Sequence, residues 1–133
     1  MSPQVEEARR LLRLARRDQG TFNLLMGLPD AELTALGFHA QQAAEKALKS
    51  VCVWAGLPLQ RTHDLTAIGA ALLPQGVELP LTLDDLRLLN PFAVEFRYDD
   101  EVVVVVTREH LASLLKVVMD WADARVEPSS SSD

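Results

Sequence analysis

Leu36-Gly37-Phe38-His39-Ala40-Gln41-Gln42-Ala43-Ala44-Glu45-Lys46-Ala47-Leu48-Lys49-Ser50-Val51 is the stretch on which the architecture turns. Leu36, Ala40, Ala43, Ala47, Val51 and, one step further, Trp54 recur at three- and four-residue intervals, the spacing of one helical face. Most of these side chains are small, so a neighbouring helix can approach closely, and Gly37 serves the same end. Asp30, after Pro29, is the expected cap, and Gly56-Leu57-Pro58 is the expected stop, which gives a helix from about residue 30 to about residue 55. Gln41, Glu45 and Lys49 run along the same helix at steps of four, a polar stripe in an otherwise core-like segment.

The flanking sequence supplies partners for that helix. Upstream, Ser2-Pro3 with Glu6 and Glu7 is a helix start, and Val5, Ala8, Leu12, Ala15, Gln19, Phe22 and Met26 form an apolar stripe ending near Leu28. Downstream, Thr62 is the expected cap of a short helix with Leu65, Ile68, Leu72 and Leu73 turned inward, stopped by Pro74-Gln75-Gly76. Thr82 with Asp85 opens a fourth helix with Leu86, Leu89, Ala93 and Phe96 on its apolar side and a kink at Pro91, a break into two short helices at Asn90-Pro91 being the alternative. Val102 to Val106 is β-branched but has no second run to pair with, so an extended connector is expected. Thr107 caps a last helix carrying His110, Leu111, Leu114, Leu115, Val118, Trp121 and Ala122 at helical spacing to about Arg125. The expected fold is all-α, an antiparallel up-and-down bundle of four to five helices over residues 1–127, with a disordered serine-rich tail at 128–133.

Composition agrees. A chain of 133 residues falls in the range of one domain, and 23 Leu with 16 Ala against a single Ile favours helices over sheet. Lone Cys52 precludes an intrachain disulfide and a thiolate zinc site, so a reducing, cytoplasmic setting is expected, and no apolar run is long enough for a membrane span. Thirteen Lys and Arg against 19 Asp and Glu, net −6, argue against a wholly basic nucleic-acid coat. The charge is divided unevenly: residues 1–61 carry 8 basic and 6 acidic side chains, residues 62–133 carry 5 and 13.

Chemistry-bearing residues concentrate in three places. The Gln41/Glu45/Lys49 stripe is either a solvated face with a Glu45–Lys49 pair or part of a site. Arg61-Thr62-His63-Asp64-Leu65 places a basic residue and a histidine at a helix N-terminus, suited to a phosphate, with simple capping as the alternative. Asn90, Val94 and Arg97 share a face of the fourth helix, and Arg97 there needs Glu45 or a phosphate as its partner. Separately, Arg9, Arg10, Arg13, Arg16 and Arg17 flank the first apolar stripe, a surface for RNA or an acidic partner, or merely a solvated face. No P-loop, dinucleotide fingerprint, HExxH or nucleophile elbow occurs, and neither a metal nor a cofactor is expected. Cys52 is expected to be an inert packing residue.

Taken together, Phe38-His39-Ala40-Gln41-Gln42-Ala43-Ala44-Glu45-Lys46-Ala47-Leu48-Lys49, then Arg61-Thr62-His63-Asp64-Leu65, then Asn90-Pro91-Phe92-Ala93-Val94-Glu95-Phe96-Arg97-Tyr98 resemble the three signature blocks of the HEPN domain, in order and in spacing, over about residues 5–125. The resemblance implies a helical bundle, a nucleotide-binding role and, as in many small prokaryotic members, a complex with a minimal nucleotidyltransferase, often as a toxin–antitoxin pair. Other members are metal-independent ribonucleases that use an arginine followed after four to six residues by a histidine across a homodimer. After Arg97 those positions hold Val102, Val103 and Val104, which can neither transfer a proton nor stabilise a phosphorane. The expectation is therefore a non-catalytic module with a nucleotide site of Gln41, Glu45, Lys46, Lys49, His63, Asn90 and Arg97, with homodimerisation expected from base rates. The alternatives are an RNA-cleaving toxin using Arg97 and His63, and a structural dimerisation adaptor.

Overall fold

The computed structural model describes residues 2–93 and 106–128. Helix α1 spans Pro3–Met26, α2 Leu33–Trp54, α3 Leu65–Ala70, α4 Leu83–Arg87 and α5 Arg108–Val126, with 3-10 turns at Leu73–Gln75 and Asn90–Phe92. No strand occurs among the described residues. Local chemistry sets the starts. The Ser2 hydroxyl accepts from the Val5 amide at 3.2 Å, Thr82 from Asp85 at 3.1 Å and Thr107 from His110 at 3.0 Å, each satisfying a donor that the first turn leaves free. At the end of α2, Gly56 adopts φ 91°, which lets the Leu57 amide reach back to the Cys52 carbonyl at 2.9 Å.

Helix α2 is the axis of the bundle. From Leu36 to Val53 only Phe38, His39, Gln42 and Lys46 escape burial, because α1, α3, α5 and the Asn90–Phe92 turn all pack on it. Its small residues do what their size allows: Ala40, Ala43, Ala44 and Ala47 are wholly enclosed, and the Ser50 hydroxyl reaches the Ala8 carbonyl of α1 at 2.6 Å. Contacts between Gln4 and Trp54, Ala8 and Ser50, and Asp18 and Lys46 run in opposite senses along the two chains, so α1 and α2 are antiparallel. Arg16 of α1 pairs with Asp123 and Glu127 near the end of α5, which makes α1 antiparallel to α5 as well. The up-and-down bundle is completed by a broken third arm, in which α3, α4 and the turn at Asn90–Phe92 lead the chain back to Gly37. Ala8, Leu12, Ala15 and Phe22 of α1 and Leu111, Leu114, Leu115, Val118 and Ala122 of α5 are buried as their spacing requires.

Several local expectations are displaced. Helix α2 begins at Leu33, after Glu32 rather than Asp30. Trp54 is 37% exposed in the last turn of α2, where its carbonyl accepts from the Gln4 side-chain amide. The cap of α3 is Asp64, whose carboxylate accepts from the Thr66 amide at 3.0 Å, while Thr62 acts two residues earlier on the Asp64 amide. Leu73 begins a 3-10 turn and points outward, at 51% exposure. Pro91 breaks the fourth helix rather than kinking it: α4 stops at Arg87, four residues before a ring that clashes with that carbonyl and has no N–H to give. His110 faces solvent. Val94, Phe96, Arg97 and residues 102–105 of the expected connector lie outside the described residues, as do positions 129–133 of the expected tail, whereas Val106 is buried.

One arginine closes the turn between α1 and α2. The Arg108 guanidinium donates to the carbonyls of Met26, Leu28, Pro29 and Ala31 at 3.0–3.4 Å, the first at the end of α1, where no intrahelical donor follows, and the others in the turn beyond it. At the other end of the core, the Trp121 indole donates to the Glu78 carbonyl at 2.8 Å, and Arg125 stacks 5.7 Å from the ring centroid while donating to the same carbonyl.

The approach of the broken arm to α2 depends on Gly37. A Cβ at that position would overlap the ring of Phe92, which is itself buried at 4% exposure and has nowhere to retreat. Overpacking of this kind costs about 1–3 kcal/mol, against roughly 1 kcal/mol that alanine gains over glycine in a helix interior. Gly37→Ala is expected to lower the urea midpoint despite its better propensity, and adding Phe92→Leu is expected to restore part of the loss.

Candidate functional site

Three residues one turn apart on α2 face the loop that precedes α3, and all three are buried: Gln41, Glu45 and Lys49. A carboxylate there demands donors, since an unpaired buried charge would be very costly. Glu45 has them on both oxygens. Its Oε1 accepts from Gln41 Nε2 at 3.0 Å and meets His63 Nδ1 at 2.9 Å, while Oε2 accepts from Lys49 Nζ at 2.9 Å. Gln41 also donates to the His63 carbonyl at 3.3 Å and accepts from Gln42 at 2.8 Å, so the loop is held by backbone as well as by side chain. Burial alone would raise the Glu45 carboxyl, but hydrogen bonds from Gln41, Lys49 and His63, with the Lys49 charge, hold it below the ordinary carboxylate range.

The consequence falls on His63. Its side chain is 68% exposed, yet one nitrogen is anchored to a carboxylate that can only accept, so Nδ1 carries a proton and Nε2 is directed away from the anchor. An imidazole fixed in this way offers a basic nitrogen when neutral and a hydrogen-bond donor for an oxyanion when protonated.

Asn90 ties the third segment to this loop. Its Oδ1 accepts from the Leu65 amide at 3.0 Å and its Nδ2 donates to Asp64 at 2.9 Å. Hydrogen bonds from Thr66 and then from Asn90 lower the Asp64 carboxyl. Asn90 thus brings the Asn90–Phe92 turn against the residue next to His63, and its side-chain groups are committed within the protein. Of the seven residues expected at a nucleotide site, Gln41, Glu45, Lys49 and His63 form one cluster, with Asn90 at its edge. Lys46 is turned to a different side of α2, where it pairs with Asp18 of α1. Arg97 lies outside the described residues; among those described, the Glu45 oxygens meet Gln41, Lys49 and His63.

Sequence reasoning did not name Gln42, Asp64 or Asp18 as site residues. Gln42 and Asp64 had a local signal, beside Gln41 in the polar segment and beside His63 at the start of the short helix, whereas Asp18 had none. Cys52, one turn beyond Lys49, is buried with its thiol against the Ile68 carbonyl at 3.6 Å, and burial, partly opposed by Lys49, pushes it up to about 11. It packs as an inert side chain. Among the described residues no group of three His, Cys, Asp or Glu is placed to hold a metal ion, and no helix is long and apolar enough to cross a membrane.

A helical bundle built on a central small-residue helix, with a buried Gln-Glu-Lys stripe anchoring a histidine of the next segment, defines the class. The family model described as HEPN domain matches residues 8–121, and the chain belongs to that family. Comparison with curated proteins and with solved structures finds no match.

The depressed Glu45 carboxyl has a signed effect on stability. In the unfolded chain it binds a proton near its ordinary value of about 4.3, before the folded form does, so stability is present above that value and is lost as pH falls through the folded one. Urea unfolding between about pH 5 and pH 2 is expected to show this acid loss, and Glu45→Gln to flatten it. Glu45→Ala, which strands Lys49 in the interior, is expected to cost about 3–5 kcal/mol at neutral pH.

Proposed function

We propose that this HEPN-domain protein, over residues 1–127, is a nucleotide-binding accessory partner of a separately encoded nucleotidyltransferase, acting as a cytoplasmic homodimer, in some settings within a toxin–antitoxin pair. The single observation that supports a ligand at this place is the exposed His63 imidazole, anchored through Nδ1 to the buried Glu45 with Nε2 left outward. In this reading His63 and Arg97 contact a ligand phosphate. Gln41, Glu45 and Lys49 act through His63, fixing its ring and loop, and Asn90 sets the loop against the segment leading to Arg97.

The same nitrogen favours a second reading. A histidine with a fixed tautomer is suited to proton transfer, which is what an RNA-cleaving homodimer would require of His63 together with Arg97. The valines at 102–104 weigh against it, because the family's ribonuclease histidine is missing at those positions.

Calorimetric titration with nucleotides separates the readings when run beside an RNA-cleavage assay. His63→Ala and Arg97→Ala are each expected to weaken nucleotide binding by about tenfold or more, with the helical circular dichroism unchanged. Unchanged affinity in both variants overturns the assignment. RNA cleaved by the wild type and spared by His63→Ala would replace it with the ribonuclease reading.

A further inference from the structure

The basic flank of α1 is divided by the fold. Arg16 turns to Asp123 and Glu127, Arg9 lies beside Glu127, and Arg10 is held by Glu7. Arg13 and Arg17, one turn apart, form no ion pair among the described residues. Arg17 opens onto a cleft between α1 and α2 of about 300 Å3, lined by Leu14, Arg17, Asp18, Thr21 and Lys46. Lys46 reaches it because one step along a helix turns a side chain by about 100°, so Glu45 faces the His63 loop while Lys46 faces α1.

We infer that this cleft is a second binding site, distinct from the Glu45–His63 cluster, and that it takes a phosphate group between Arg17 and Lys46. The ammonium of Lys46 is held by Asp18 in a part-buried pair, with side chains 28% and 21% accessible, so a ligand in the cleft can reach it. A phosphate dianion offers Lys46 a stronger acceptor than one carboxylate and offers Arg17 the paired oxygens that a guanidinium fork matches. Asp18 then faces the ligand's hydroxyl groups, from which it can accept. Arg13 extends the positive edge one turn along α1 toward a following phosphate, since residues four apart lie about 5–6 Å from each other. The shared chemistry is a phosphate oxyanion, from a free phosphomonoester or from the backbone of an RNA strand.

The test is an NMR titration of the isotope-labelled chain with inorganic phosphate in one arm and with an oligouridylate lacking terminal phosphates in the other. Shifts confined to residues 14–21 and around Lys46, away from residues 63–65, are expected in at least one arm. A response to inorganic phosphate assigns a free ligand, and a response to the oligonucleotide alone assigns a strand. Arg17→Ala and Lys46→Ala are each expected to weaken binding by roughly fivefold or more, the loss of one charge-assisted contact near the surface. Asp18→Asn is expected to strengthen it by roughly threefold, because it removes the competing carboxylate. A merely structural Lys46–Asp18 pair predicts lower thermal stability in Asp18→Asn with no change in the titration. That result, or shifts in neither arm, overturns the site.

Discussion

A carboxylate in the middle of a helix that is packed on nearly every side is the constraint around which the rest is arranged. Glu45 cannot be left without donors there, and α2 itself supplies two of them, one turn away in each direction, in Gln41 and Lys49. The remaining lone pairs draw in His63 from the chain that follows the helix. Once that loop is seated, Asp64 caps α3 and Asn90 locks the loop to the turn that packs on Gly37. A single buried charge thereby sets the positions of three separate segments, and the histidine is oriented as a consequence of a stability requirement.

Much of this is readable from residues close in sequence. Ser2, Thr82 and Thr107 cap as expected because the geometry of an N-cap involves only the next three residues. The small face of α2 and the Gln41/Glu45/Lys49 stripe follow from the helical period alone. Arg61 to Leu65 stood out for its histidine at a helix start, and the structure brings that histidine to the stripe. The family match extends over residues 8–121, which takes in all of these segments.

What was not legible depends on contacts between distant positions. Whether Pro91 kinks or breaks a helix is decided by what surrounds the freed carbonyls, and here a 3-10 turn against Gly37 is the better packed outcome. Lys46 looked like a neighbour of the site because it adjoins Glu45 in sequence, yet adjacency on a helix means separation in space. Its partner, Asp18, lies 28 positions away across the α1–α2 hairpin, beyond any local pattern. Trp54 satisfied the period of the core face, but the period continues past the point where the neighbouring helix ends.

The Arg108 clamp bears on the order in which the protein can be assembled during synthesis. The carbonyls of Met26, Pro29 and Ala31, and the second lone pair of Leu28, meet a donor about 80 positions downstream. As the chain leaves the ribosome, α1 and α2 emerge early and can pair, but the bend between them stays hydrated until the start of α5 arrives. Closing so long a loop is slow relative to forming a hairpin, so the nascent chain spends an interval as an open pair of helices with the α5-facing side of α2 uncovered. The last helix thus both completes the core and closes the first bend, so one element serves two distant parts of the chain.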